Sequence, residues 1–96
     1  MSNTTENIVA AFYKFLDWND FKDLKPTLEK VCSKSGTVGT ILLAPEGING
    51  TISGTTQGVQ TVLEFLSDDQ RLVDLTPKYS TATGKTFKRM KIKIKK

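Results

Sequence analysis

Few residues in this chain can do covalent chemistry. There is no histidine and a single cysteine, Cys32. The absence of histidine excludes imidazole acid–base catalysis, the Ser-His-Asp arrangement and the usual zinc sites. Cys32 shares helical spacing with Phe21, Leu24, Leu28 and Val31, and only Lys30 and Lys34 nearby could stabilise a thiolate. It reads as a buried structural thiol. One cysteine also excludes an intrachain disulfide and points to a reducing compartment. The carboxylates fall in two groups, Asp17/Asp20/Asp23 and Asp68-Asp69. Neither has the alternating ligands and bidentate glutamate of a calcium loop, so both read as helix caps. No catalytic residue, metal ligand or cofactor site is expected.

What remains is chemistry of binding. Net charge is +4, and it is unevenly spread. Residues 1–84 carry all ten acids and seven of the fourteen bases, a balance of −3. The last twelve residues carry the other seven bases and no acid. Such a strip fits a polyanion, most often nucleic acid or an anionic membrane, and equally fits a solvated sheet edge that discourages pairing with other chains. Lys88, Arg89, Lys91, Lys93 and Lys95 are the candidate phosphate contacts, with Phe87 beside them. The strip lacks the interleaved aromatics of an RNA-recognition module, so it supports backbone binding. The turn Pro45-Glu46-Gly47-Ile48-Asn49-Gly50 is the second candidate, with Glu46 and Asn49 as polar groups facing an RNA or a partner domain. Proline and glycine there build a tight hairpin as readily as a binding loop.

These residues need a frame. Residues 1–7 are polar and expected to be disordered. Ile8–Leu16 is apolar and aromatic and reads as a buried central strand. A helix follows from near Asp23, with Pro26 tolerated in its first turn, Asp20 or Asp23 as cap and Gly36 as its left-handed stop. Thr37–Leu43 and Ile48–Ser53 read as an antiparallel hairpin, in which Asn49-Gly50 could form a further turn or a bulge. Thr55 or Thr56 caps a second helix whose apolar face is Val59, Val62, Leu63 and Leu66. Leu75–Thr81 is a fourth strand, confined to an edge by Pro77. In the last strand Met90, Ile92 and Ile94 alternate with Arg89, Lys91, Lys93 and Lys95, giving one oily and one cationic side. The fold class is α+β: a ferredoxin-like, acylphosphatase-like two-layer sandwich in the order βαββαβ plus a final strand, with an antiparallel sheet and both helices on one face.

This order also hosts small acylphosphate hydrolases, which cradle phosphate in the loop after the first strand. Here that loop carries Asp17 and Asp20, the first cation is Lys22, and Arg71 and Arg89 lie far along the chain. The hydrolase reading is disfavoured.

The run Thr40-Ile41-Leu42-Leu43-Ala44-Pro45-Glu46-Gly47-Ile48-Asn49-Gly50-Thr51, together with Phe87-Lys88-Arg89-Met90-Lys91-Ile92-Lys93, resembles the rhodanese-domain family that hydroxylates the wobble uridine of tRNA. More narrowly, residues 8–96 resemble that family's N-terminal acylphosphatase-like domain. The resemblance implies a cytoplasmic role in tRNA modification, making 5-hydroxyuridine at the wobble position. It implies that a C-terminal rhodanese-like domain carries the catalytic cysteine, so this chain reads as the N-terminal part of a longer oxidoreductase and is not catalytic alone. Cys32 is not that cysteine. The implied partners are tRNA in its anticodon region and the rhodanese-like domain, with no membrane. The chain then serves to position tRNA, or, in the alternative, to dock the rhodanese domain without touching RNA.

Overall fold

The computed structural model describes residues 7–81 and 89–95. Strand β1 spans Asn7–Phe15, so Asn7, expected to be frayed, already pairs with Thr55. Helix α1 spans Leu24–Ser35 and is preceded by a single 3-10 turn over Phe21–Asp23. Strands β2 (Val38–Ala44) and β3 (Gly47–Thr55) form the hairpin, and helix α2 spans Thr56–Ser67. A second 3-10 turn at Gln70–Leu72 leads to β4 (Lys78–Thr81), and β5 covers Met90–Ile94. Strand β4 starts only after Pro77, which has no N–H to give a ladder.

The strands form one five-stranded sheet in the order β4-β1-β3-β2-β5, with β4 and β5 at the edges. Strands β1 and β2 both run antiparallel to β3, which lies between them, so the first βαβ unit is split. One expectation needs correcting. The last strand pairs with β2 in parallel, so the sheet is mixed rather than antiparallel. Strand alternation alone carries no direction; the edge on which β5 docks decides it.

Register sorts every strand residue onto one of two faces. Ala10 pairs with Ile52, which pairs with Gly39; Phe12 meets Gly50, which meets Ile41, which meets Ile92. These residues are buried and form the core with Leu28 and Cys32 of α1 and Val59, Val62, Leu63 and Leu66 of α2. Both helices therefore cover this face. Asn49-Gly50 makes neither turn nor bulge but lies inside β3. A methyl group on Gly50 would stand 2.7 Å from Phe12 Cζ and 3.0 Å from Ile41 Cγ1, so glycine there makes room for the Phe12 ring. Gly58 acts similarly between helices: a Cβ would stand 2.5 Å from the Ser35 carbonyl, which lets the first turn of α2 lie against the end of α1.

Candidate functional site

The second face of the sheet has no element over it among the described residues. Its rows follow from register. Tyr13 of β1 lies beside Asn49 of β3, then Leu42 of β2, then Lys93 of β5. One row along, Lys78 of β4 is followed by Ala11, Thr51, Thr40 and Lys91. Tyr13 is 66% and Phe15 77% exposed, whereas Phe12, one step before Tyr13 and on the opposite face, is 3% exposed. Strand β1 is thus interior to the sheet but buried on one face only. The central position expected of this strand holds, and its burial is one-sided because the two helices cover one side while the apolar run continues on the other.

At the turn end of this face Tyr13, Phe15, Leu42, Gly47, Asn49 and Lys95 line a shallow depression of about 160 Å³. The two rings lie 5.7 Å apart at 58°, tilted rather than stacked on each other. Gly47 sits in the floor with φ of 144°, and a side chain there would collide with the Lys14 carbonyl. The turn is anchored from behind: the Leu16 and Trp18 amides donate to the Glu46 and Pro45 carbonyls at 3.0 and 2.9 Å.

The basic candidates are not equivalent. Lys91 and Lys93 project from the open face and have no carboxylate partner among the described residues. Lys95 pairs with Glu46, which joins the basic strip to the Pro45–Gly50 turn and holds the Glu46 carboxyl below the ordinary carboxylate range. Arg89 sits at the entry to β5, where its carbonyl accepts from the Gly39 amide at 3.3 Å, and it borders the end of α1 near Glu29 and Ser33. Lys88 and Phe87 lie outside the described residues. Asn49 is exposed at the centre of the open face. Tyr13 and Phe15 were missed by sequence reasoning. The available signal was phase: they sit at odd positions of a strand whose even positions, Ala10 and Phe12, fill the core.

The loop after β1 holds a different arrangement. The Arg71 guanidinium donates to Asp20 at 2.7 Å and to Asp69 at 3.0 Å, and lies 5.7 Å from the Trp18 ring. Both carboxyls are held below their usual range by Arg71. Arginine therefore does reach this loop, contrary to the expectation from chain distance, but two carboxylates already occupy its donors. An anion would have to displace them. The capping expectation for Asp20 and Asp23 also fails, since neither side chain makes a cap hydrogen bond. Asp69 does cap, accepting from the Arg71 amide at 2.9 Å.

Comparison with known proteins adds to this geometry. Residues 7–96 match the family described as UPF0176 acylphosphatase like domain. A tRNA uridine(34) hydroxylase of Acaryochloris marina is 46% identical over 92 residues, covering 96% of this chain and 30% of the relative. One from Rhizobium leguminosarum bv. trifolii is 43% identical over 96 residues, covering 100% of this chain and 31% of the relative. The chain thus spans about a third of the length of these relatives. Among solved structures, an acylphosphatase from Coxiella burnetii superposes with a TM-score of 0.63 at 6% identity, covering 93% of this chain and 94% of that one. The dark state of the BLUF protein BlrB gives 0.75 at 16% identity, covering 96% and 75%. These two likenesses concern the fold alone.

Proposed function

Because this chain belongs to the family of UPF0176 acylphosphatase-like domains, we propose that it is an accessory, RNA-holding domain of a tRNA-modifying enzyme that hydroxylates the wobble uridine. The relatives' name, tRNA uridine(34) hydroxylase, supports the enzyme class. The observation that carries the RNA-holding role is the pair Lys91 and Lys93, exposed on the open face without acidic partners among the described residues. Glu46 does not cancel them, because Lys95 neutralises it. Catalysis on this reading resides in a rhodanese-like domain, and this domain's part is to hold the anticodon region near it in a cytoplasmic setting.

With Lys95 engaged, Arg89, Lys91 and Lys93 supply two or three phosphate contacts. Binding of an anticodon stem-loop should then weaken with salt at a log–log slope of about −1.4 to −2.1, at roughly 0.7 per contact. Fluorescence anisotropy at several salt concentrations measures it. The Lys91→Glu/Lys93→Glu variant should lose most of the affinity and flatten the slope. No binding at low salt, or an unaltered slope in that variant, would count against the proposal.

A second reading has one observation behind it. The exposed Tyr13–Phe15 pair beside the Pro45–Glu46 turn is an apolar patch of the kind a docking domain offers. On that reading the rhodanese-like domain covers the patch and RNA binds elsewhere. Association in trans between this chain and the remaining part of a full-length relative tests it.

A further inference from the structure

We propose that the depression between Tyr13, Phe15 and Asn49 is a stacking site for unpaired RNA bases, with the strand's phosphates led along Lys91 and Lys93. This rests on the RNA-holding role above and names what that face takes: single-stranded nucleotides, not duplex.

Four observations converge on it. Tyr13 and Phe15 expose most of their surface, and their rings are tilted at 58°, so neither ring face is used up by the other. Their part of β1 pairs with β3, Tyr13 with Asn49 and Phe15 with Gly47, and the Leu16 amide just beyond is tied to the Glu46 carbonyl at 3.0 Å, so the rings stand on ordered backbone and little is lost in ordering them on binding. Asn49 lies directly across from Tyr13 and offers a donor and an acceptor to a base edge. Finally, cations flank the aromatics on both sides of the same face: Lys78 on one edge strand, Lys91 and Lys93 on the other. Aromatic centre with basic margins matches a nucleic-acid strand, whose bases present π-faces and whose phosphates carry the charge. An aromatic centre suits a protein partner as well, but Lys78, Lys91 and Lys93 around it make no ion pair among the described residues, and a margin of one charge sign favours a polyanion. A duplex hides its base faces and cannot use the rings at all.

The site differs from the basic strip in what it should do to binding. Stacking is worth enough per base that losing both rings should weaken binding about tenfold or more. It involves no ion release, so the salt slope should stay where it was. The experiment uses this chain and a short single-stranded RNA carrying 2-aminopurine, whose fluorescence is quenched on stacking, with an RNA duplex of equal length as control. The wild-type chain should quench the probe and prefer the single strand. Tyr13→Ala/Phe15→Ala should abolish quenching and lower affinity about tenfold at unchanged slope, while Tyr13→Phe retains both. Both side chains are exposed, so circular dichroism should show the fold intact.

Normal affinity and quenching in the double alanine variant would overturn the stacking site while leaving RNA binding through the lysines standing. A preference for duplex would do the same. If the wild-type chain binds no RNA of either kind, both proposals fall. In that case, shielding of Tyr13 from chemical labelling by the rest of a full-length relative would assign the face to a protein instead.

Discussion

Cys32 lies fully buried on the inner side of α1, and burial pushes its thiol up to about 11, with the Glu29 charge as the lesser cause. At pH 8 about one such thiol in a thousand is ionised, against roughly a quarter for a free cysteine. Labelling by Ellman's reagent should therefore be far slower in the native chain than in the urea-unfolded one, with a rate set by opening of the fold. Equal rates would mean that the thiol is exposed and reactive. Phe12 and Tyr13 show how completely one step along a strand changes a residue's role: the first fills the space Gly50 leaves in the core, the second stands in solvent beside Asn49. Lys14, next in line, returns to the helix side and pairs with Asp74 beyond α2. The two functional tests above, on Lys91/Lys93 and on Tyr13/Phe15, belong to this scale because each removes side chains that the core does not need.

The elements owe their ends to single residues. Gly36 ends α1 at φ of 70°, and the space around it is open, so a methyl group meets no atom within 4 Å. The cost of Gly36→Ala is then conformational alone, about 1–2 kcal/mol for a left-handed residue with a side chain. At the start of α2 the Thr55 hydroxyl accepts from the Gly58 amide at 3.0 Å, and Thr55→Ala should cost about 1 kcal/mol. The same change at Asp23, whose carboxyl makes no capping bond, should cost less. Urea unfolding of the three variants measures all of this, and a larger loss at Asp23 than at Thr55 would contradict the caps as described. Strand β5 shows the same economy. Ile92 is buried while Met90 and Ile94 are half-buried, and this single apolar stripe seats the strand on β2 with its lysines outward.

At the scale of the whole molecule, ion pairs close the surface around the loop after β1 and the hairpin turn. Arg71 lowers the carboxyls of Asp20 and Asp69, and Lys95 lowers that of Glu46. Groups held below their ordinary values of 3.8 to 4.5 stabilise the fold above that range, and the gain is lost as pH falls through their folded values. The melting temperature should therefore drop between about pH 5 and pH 3, and Arg71→Ala should flatten that drop. An undiminished pH dependence in Arg71→Ala would place the acid-sensitive groups elsewhere. Much of this architecture was legible in the residues themselves. Spacing gave the two helices and their inner faces, Gly36 and Thr55 marked their ends, Pro77 sent β4 to an edge, and alternation gave β5 its two sides. These are local rules, in which a residue's neighbours three or four places away, or two places away in a strand, decide its environment. Only tertiary structure decided the rest, because it depends on which strands become neighbours. Local spacing could not say that β5 would run parallel to β2, that Arg71 would travel back to Asp20, that Lys95 would be taken by Glu46, or which positions of β1 would be left bare. An apolar strand carries the same pattern on either face; which of them the two helices cover is a property of the assembled fold.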